Sequence, residues 1–191
     1  SDKEIRPITP DEIPNVIRRR LFSGTDKEIL DKAEESISSF ADYCEKEKIL
    51  PEGLSSVKYR KLLERSYPFL PHVIDVLYWN WGTIGTFQRT RGVLRLLSMV
   101  VHSILKKYGD NSPPMISTAD FDLSDNNIES ELVNHVGEPF SGIIDKDITS
   151  ENSGAKRIDK DMGQGSDFGE RIATTIFMYS HSGDATAKIN A

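Results

Sequence analysis

The stretch "FQRTRGVLRLLSMVVHSIL" (87–105) carries Arg89, Arg91 and Arg95 and no acid. Guanidinium groups are planar, forked donors that match phosphate or carboxylate oxygens, and they stay charged at any physiological pH. On a helix, Arg91, Arg95, Ser98, His102 and Lys106 recur at steps of three and four, so they form one polar stripe with Arg89 near its start. Cations in a first helical turn meet the positive end of the helix dipole, at a cost of roughly 0.3–1 kcal/mol each when exposed. A bound anion reverses that penalty, because free backbone N–H groups and arginines then converge on it. The plainer reading of the same stripe is a solvated face, or pairing with acids such as Glu34, Glu35 or Glu45. Exposed pairs of that kind contribute only about 0–1 kcal/mol.

The charge sorting sharpens the question. Residues 76–108 contain no Asp or Glu, although 30 acids are spread through 191 residues and the formal net charge is −6. That balance argues against a general nucleic-acid coat or an anionic-membrane binder, so any phosphate contact must be local. A single cysteine, Cys44, cannot form an internal disulfide, and no Cys/His cluster has zinc-ligand spacing. No apolar run approaches the roughly 18 residues of a membrane span, and the opening "SDKEIRPITP" is too polar for a signal peptide. The expected location is the cytoplasm. The absence of an initial Met points to a piece cut from a longer polypeptide.

The arginines need helices to hold them, and the spacing predicts several. "TPDE" (9–12) has the arrangement of a capping box, with Thr9 as cap and Pro10 at the first helical position. Ile13, Val16, Ile17 and Leu21 would face inward, while Pro14 shifts or bends the start. Thr25 and Glu28 open a second capping box, followed by the stripe Ile29, Ala33, Ile37, Phe40 and Cys44 as far as about Lys48. "VKYRKLLERS" and "PFLPHVIDVLYWNW" give two more helices, and Gly82 and Gly85 make a turn. The arginine helix then starts near Thr86 or Thr90 and reaches Tyr108, burying Leu94, Leu97, Val101, Ile104, Leu105 and Tyr108. Beyond Pro114 the composition turns polar, and residues 145–170 hold too little apolar surface to offset ordering entropy. The expectation is a mainly α helical bundle over residues 1–110, followed over 111–191 by a polar, irregular extension of mixed α+β character.

Three stretches, "RPITPDEIPNVIRRRLF", "YPFLPHVIDVLYWNWGTIGTFQRTRGVLRLLSMVVHSI" and "DFGERIATTIFMYSHSG", resemble in that order the middle region of a family of large prokaryotic AAA+-type ATPases. That family is known as a domain of unknown function and is encoded beside DNA methyltransferases. The resemblance runs from about Arg6 to Gly183. It implies a helical lid that follows a nucleotide-binding core. "TRGVLRLL" is similar to the lid helix whose arginine senses the γ-phosphate, which maps that role onto Arg91, with Arg89 as the nearby alternative and Arg95 on the same stripe. ATP, held mainly by a core absent from this chain, and Mg in the parent protein are the implied cofactors. The implied partners are the remainder of the parent ATPase, neighbouring subunits and, through the parent complex, DNA; no membrane is implied. A role in DNA modification or phage defence follows from the resemblance alone.

The departures limit the chemistry. No G-x-x-x-x-G-K-[ST] sequence is present, and the isoleucines of "SGIIDKD" are too few for a strand ending in a magnesium-binding acid. Catalysis is therefore not assigned to this chain. The alternative class is a helical interaction or nucleic-acid-binding module that uses the acid-free segment 76–108. Among other candidates, residues 120–131 follow a calcium-loop template but put Asp125 where a sharp turn wants Gly, so a polar turn with Ser124 capping a helix is the plainer reading. "RRR" (18–20) suits a helix C-terminus, or an arginine finger supplied to a neighbour. Tyr78, Trp79 and Trp81 read as core or interface more than as a stacking platform. Ser180, His181 and Ser182 are too close in sequence to pair as nucleophile and base, and Cys44 reads as an inert core thiol.

Overall fold

The computed structural model describes residues 12–181. They form α1 (Ile13–Leu21), α2 (Asp26–Lys46), α3 (Ser56–Ser66), α4 (Pro71–Asp75), α5 (Arg89–Tyr108), α6 (Asn126–Val136), α7 (Pro139–Ile143), α8 (Gly154–Met162) and α9 (Phe168–Tyr179). π-helical turns at Val76–Asn80 and Ile144–Thr149 and short 3-10 turns join them. The mainly α expectation is met, and no strand occurs among the described residues. Within them, no helix is long and apolar enough to cross a membrane. The chain divides after Pro71 into two compact units, so α5 and α6, on either side of residue 110, belong to one of them.

In the first unit, α3 packs against both α1 and α2. The Thr25–Glu28 capping box forms as the sequence predicts, and α2 buries Ala33, Ile37, Ala41 and Cys44, whose thiol pKa is pushed up by burial. The predicted Thr9 cap lies outside the described residues; α1 begins at Ile13, with Pro14 in its first turn, where a missing N–H costs nothing. Of the three arginines ending α1, Arg18 is the surprise, being only 3% exposed. Its Nε donates to Asp26 Oδ1 (3.0 Å), its two terminal nitrogens to Asn15 Oδ1 (3.0 Å) and to the carbonyls of Glu64 (2.7 Å) and Arg65 (3.2 Å). One guanidinium thus ties α1 to the start of α2 and satisfies carbonyls in the last turn of α3, which would otherwise be orphaned. Arg19 also binds Asp26 (2.7 Å), and these two arginines, Arg19 first, hold the Asp26 carboxyl below the ordinary range.

In the second unit, α5 packs on α6 and on the turns at 76–83, while α9 packs on α8 and both π turns. Trp81 is fully buried and joins these parts: its Nε1 donates to Met178 O of α9 (2.8 Å), and its ring meets Phe87, Phe177 and His181. The buried face of α5 is Gly92, Val93, Leu96, Leu97, Val100, Ser103 and Ile104. This is a correction, since Leu105 is 56% exposed and Tyr108 is also open to solvent. Gly92 lets the Phe87 backbone approach that side closely, which draws the contact away from Leu94, Val101 and Leu105. The predicted polar stripe from Arg91 to Lys106 does face solvent.

Residues 145–170, expected as a long loop, contain a π turn and α8. Hydrogen bonds rather than apolar area organise them. Ser153 caps α8, and Asp159 of α8, itself buried, accepts from the Gly169 (2.6 Å) and Glu170 (3.0 Å) N–H groups in the first turn of α9. Gly169 permits that approach, since a Cβ there would lie 2.5 Å from the Ala155 carbonyl oxygen. Burial alone would raise the Asp159 pKa, but these N–H donors and the Ser166 hydroxyl outweigh it and hold the carboxyl below its ordinary value.

Two outcomes follow for stability. Arg18→Ala should lower the free energy of unfolding by about 3–5 kcal/mol, because it strands buried acceptors, whereas Arg20→Ala on the exposed side should change it by less than about 0.5 kcal/mol; urea titrations followed by circular dichroism distinguish them. Asp159 has a depressed folded pKa, so its contribution is fully present above the unfolded value near about pH 3.9 and is lost as pH falls through the folded one. Asp159→Asn should therefore be less stable at neutral pH, and its urea midpoint should fall less than that of the wild type between about pH 6 and about pH 3.

Candidate functional site

The head of α5 is built by a tight reversal. Phe87 is buried between Trp81 (ring centroids 5.9 Å apart) and His135 of α6 (5.2 Å). The next two residues, Gln88 (φ 55°) and Arg89 (φ 33°), take left-handed backbone conformations that cost side-chain-bearing residues about 1–3 kcal/mol each. The turn brings the Phe87 carbonyl oxygen into the space that a Cβ on residue 92 would occupy, so only glycine fits there. Gln88 is the N-cap but provides no side-chain hydrogen bond, and the first turn contains no acid. The positive end of α5 therefore lacks the side-chain acceptor that usually satisfies its first N–H groups.

The three predicted arginines take different positions around this head. Arg91 is exposed, and its guanidinium has no hydrogen-bond or ion-pair partner among the described residues. It lines a cleft of about 250 Å³ with Gln88, Gly92, Arg95, Glu131 and His135. Arg95 lies in the same cleft and pairs with Glu131 Oε2 (3.0 Å); the guanidinium side is 63% exposed, the carboxylate only 5%. Arg89 folds back the other way: its Nε donates to Gly82 O (3.2 Å), and its Cζ lies 5.8 Å from the Tyr78 ring centroid. The structure thus brings Arg91 and Arg95 together and separates Arg89 from them.

Sequence reasoning missed the opposite wall. Glu131 and His135 stand one turn apart on α6, with His135 Nε2 3.4 Å from Glu131 Oε1 and Nδ1 2.9 Å from the Thr86 hydroxyl. Arg95, Glu131, His135 and Thr86 form one chain of polar contacts, an ion pair followed by two hydrogen bonds, that links α5, α6 and the loop before α5. Such a chain fixes the cleft wall, and the Arg91 guanidinium beside it has no hydrogen-bond or ion-pair partner among the described residues. The only sequence signal was the Glu/His pair at i,i+4, an ordinary pattern on a helix.

The remaining candidates resolve into structural roles. In the calcium template, Asp120 accepts from Ser117 and Arg171, Asp122 from Ser124, and Asp125 from the Asn127 N–H. The α6 cap is therefore Asp125, not Ser124. Among the described residues, no group of three or more His, Cys, Asp or Glu side chains could hold a metal ion. Ser180 donates to the Ile176 carbonyl, and His181 sits against Trp81, Phe140 and Phe177, where burial lowers its pKa; Ser182 lies outside the described residues.

In comparison with known proteins, the family model described as the DUF499 second domain matches residues 9–191. Neither a curated protein nor a solved structure matches this chain.

The close approach at Gly92 can be tested directly. Gly92→Ala should destabilise the second unit by about 1–3 kcal/mol through overpacking against the Phe87 backbone, read as a lowered urea midpoint, because backbone cannot move aside as a flexible side chain can.

Proposed function

With this chain belonging to the DUF499 second-domain family, we propose that it is the lid and connector of an AAA+-type ATP-binding protein, closing over nucleotide on a core supplied by the parent polypeptide. Arg91 meets the γ-phosphate, Arg95 lies beside it on the same cleft, and Mg accompanies the nucleotide in the parent. The single observation that carries this reading is a guanidinium without a partner among the described residues, placed at an uncapped helix head beside a rigid wall. A cation in that position is disfavoured until an anion arrives, so binding there gains both the charge-assisted hydrogen bonds and relief from the helix dipole. Because the wall ties α5 to α6, contact at Arg91 displaces the helices together, which is how a nucleotide state is relayed to neighbouring domains or subunits. Partners are then the rest of the parent ATPase, in the cytoplasm, with DNA reached through the parent complex in modification or phage defence.

A nucleic-acid-binding module is the second reading, favoured by the acid-free segment 76–108 and by the exposure of Trp79 within it.

In the full-length protein, Arg91→Ala should reduce nucleotide hydrolysis or its coupling by about 10- to 100-fold, the worth of a charge-assisted hydrogen bond. The melting temperature of this domain should stay unchanged, since Arg91 is exposed and its guanidinium has no hydrogen-bond or ion-pair partner among the described residues. Undiminished, fully coupled turnover in that variant would sink the reading.

A further inference from the structure

The outward side of α9 is apolar, the reverse of what a surface helix usually presents to water. Phe168, Ile172, Ile176 and Tyr179 are all exposed, Ile176 at 61%. By helical spacing these side chains fall within about 80° of one another, so they form a single row about 16 Å long. Residues 172–180 contain no charged side chain. The polar groups of this helix are engaged elsewhere: Thr174 is buried, and Arg171 pairs with Asp120 (2.8 Å).

α8 widens the row at one end. Gly169, next to Phe168, makes the close contact of α9 with α8, against the Ala155 carbonyl and the Asp159 carboxylate. Lys156, Lys160 and Glu170 line an opening on one flank of that contact. Ile158 and Met162, one turn apart and each more than half exposed, fall by helical spacing on the other flank, the side on which Phe168 and Ile172 lie. Together these six side chains leave roughly 600 Å² of apolar surface open to water, the upper end of what a monomer ordinarily shows.

The row reads alike in both directions, with an aromatic ring at each end and an isoleucine at each inner position. A second copy turned end for end therefore sets Phe168 against Tyr179 of the other copy and Ile172 against Ile176, and each contact occurs twice, as a two-fold interface requires. An unrelated partner has no need of a row with this symmetry. Covering the patch on both copies removes about 1,200 Å² from water, the lower limit of a specific interface.

We propose that the chain self-associates through α9 as a two-fold, antiparallel pair, with Ile158 and Met162 of α8 closing over the end of the row. The pairing is independent of the phosphate reading of Arg91 and gives the domain a surface through which two parent molecules meet.

The test is sedimentation equilibrium on the whole chain, from about 1 µM to about 500 µM. The expected result is a reversible equilibrium between 21.5 kDa and twice that mass, with a dissociation constant on the order of 10–100 µM. Ile176→Glu and Ile172→Lys each place a charge in the apolar row and should weaken pairing about 100-fold. Their melting curves in dilute solution, followed by circular dichroism, should stay close to that of the native chain, because both positions are exposed. Mixed in equal amounts, the two variants should pair again: the antiparallel register sets the introduced carboxylate of one against the introduced ammonium of the other and keeps isoleucine on isoleucine at the remaining contact. High salt should weaken that recovery. If the native chain stays monomeric at the highest concentration, the pairing is overturned; binding to phosphatidylcholine–phosphatidylglycerol vesicles that Ile176→Glu abolishes would then give the face to a bilayer surface, and no such binding would give it to another part of the parent. If dimers form and Ile176→Glu leaves them intact, they use a different surface and the proposal falls. If each variant is monomeric and the mixture is too, the antiparallel register is overturned.

Discussion

The carbonyl oxygen of Phe87 occupies the space that any side chain on residue 92 would need, and the arrangement of the α5 head follows from that contact. Phe87 anchors the reversal because its ring is enclosed by Trp81 and His135. With the anchor fixed on one side and Gly92 on the other, Gln88 and Arg89 must bridge the gap through left-handed conformations. The bridge sends Arg89 back towards Tyr78 and leaves Arg91 in the opposite cleft. A local steric fact thus divides a run of like charges into groups with separate surroundings.

Arginines in the two units illustrate opposite solutions to one electrostatic problem. Arg18 is removed from water, and the structure surrounds it with an aspartate, an asparagine and two carbonyls. Burial is tolerable there because hydrogen bonds replace the lost hydration. Arg91 keeps its hydration and gains nothing from its neighbours. Arg95 lies between these cases, since it pairs with a buried carboxylate while most of its own side chain stays exposed.

Much of this was legible in the sequence, although unevenly. The α2 capping box and its inward stripe were readable because cap chemistry and helical period agree over a long element. The polar face of α5 was readable for the same reason, but its buried face was not. Leu94, Val101 and Leu105 extend the apolar surface beyond the face that is buried, so period alone does not select its centre, and the close approach at Gly92 lies on the other side. Segment 145–170 is not legible from apolar content, which is low there. Ser153 and Asp159 organise it through hydrogen bonds to backbone groups that are distant or loop-borne. At the site, Arg91 was legible from charge and helix position. Glu131 and His135 were not, since their meaning depends on α6 lying against α5.

Asp159 also explains why the glycine-rich run "MGQGSDFG" is a poor receptor despite its composition. Two lysines and a helix head stand near that loop, which elsewhere would invite a nucleotide. Here the opening is already stoppered by the molecule's own negative charge, seated on the amides of Gly169 and Glu170. A phosphate approaching α9 meets a resident carboxylate that cannot diffuse away, whereas the first turn of α5 carries no acid.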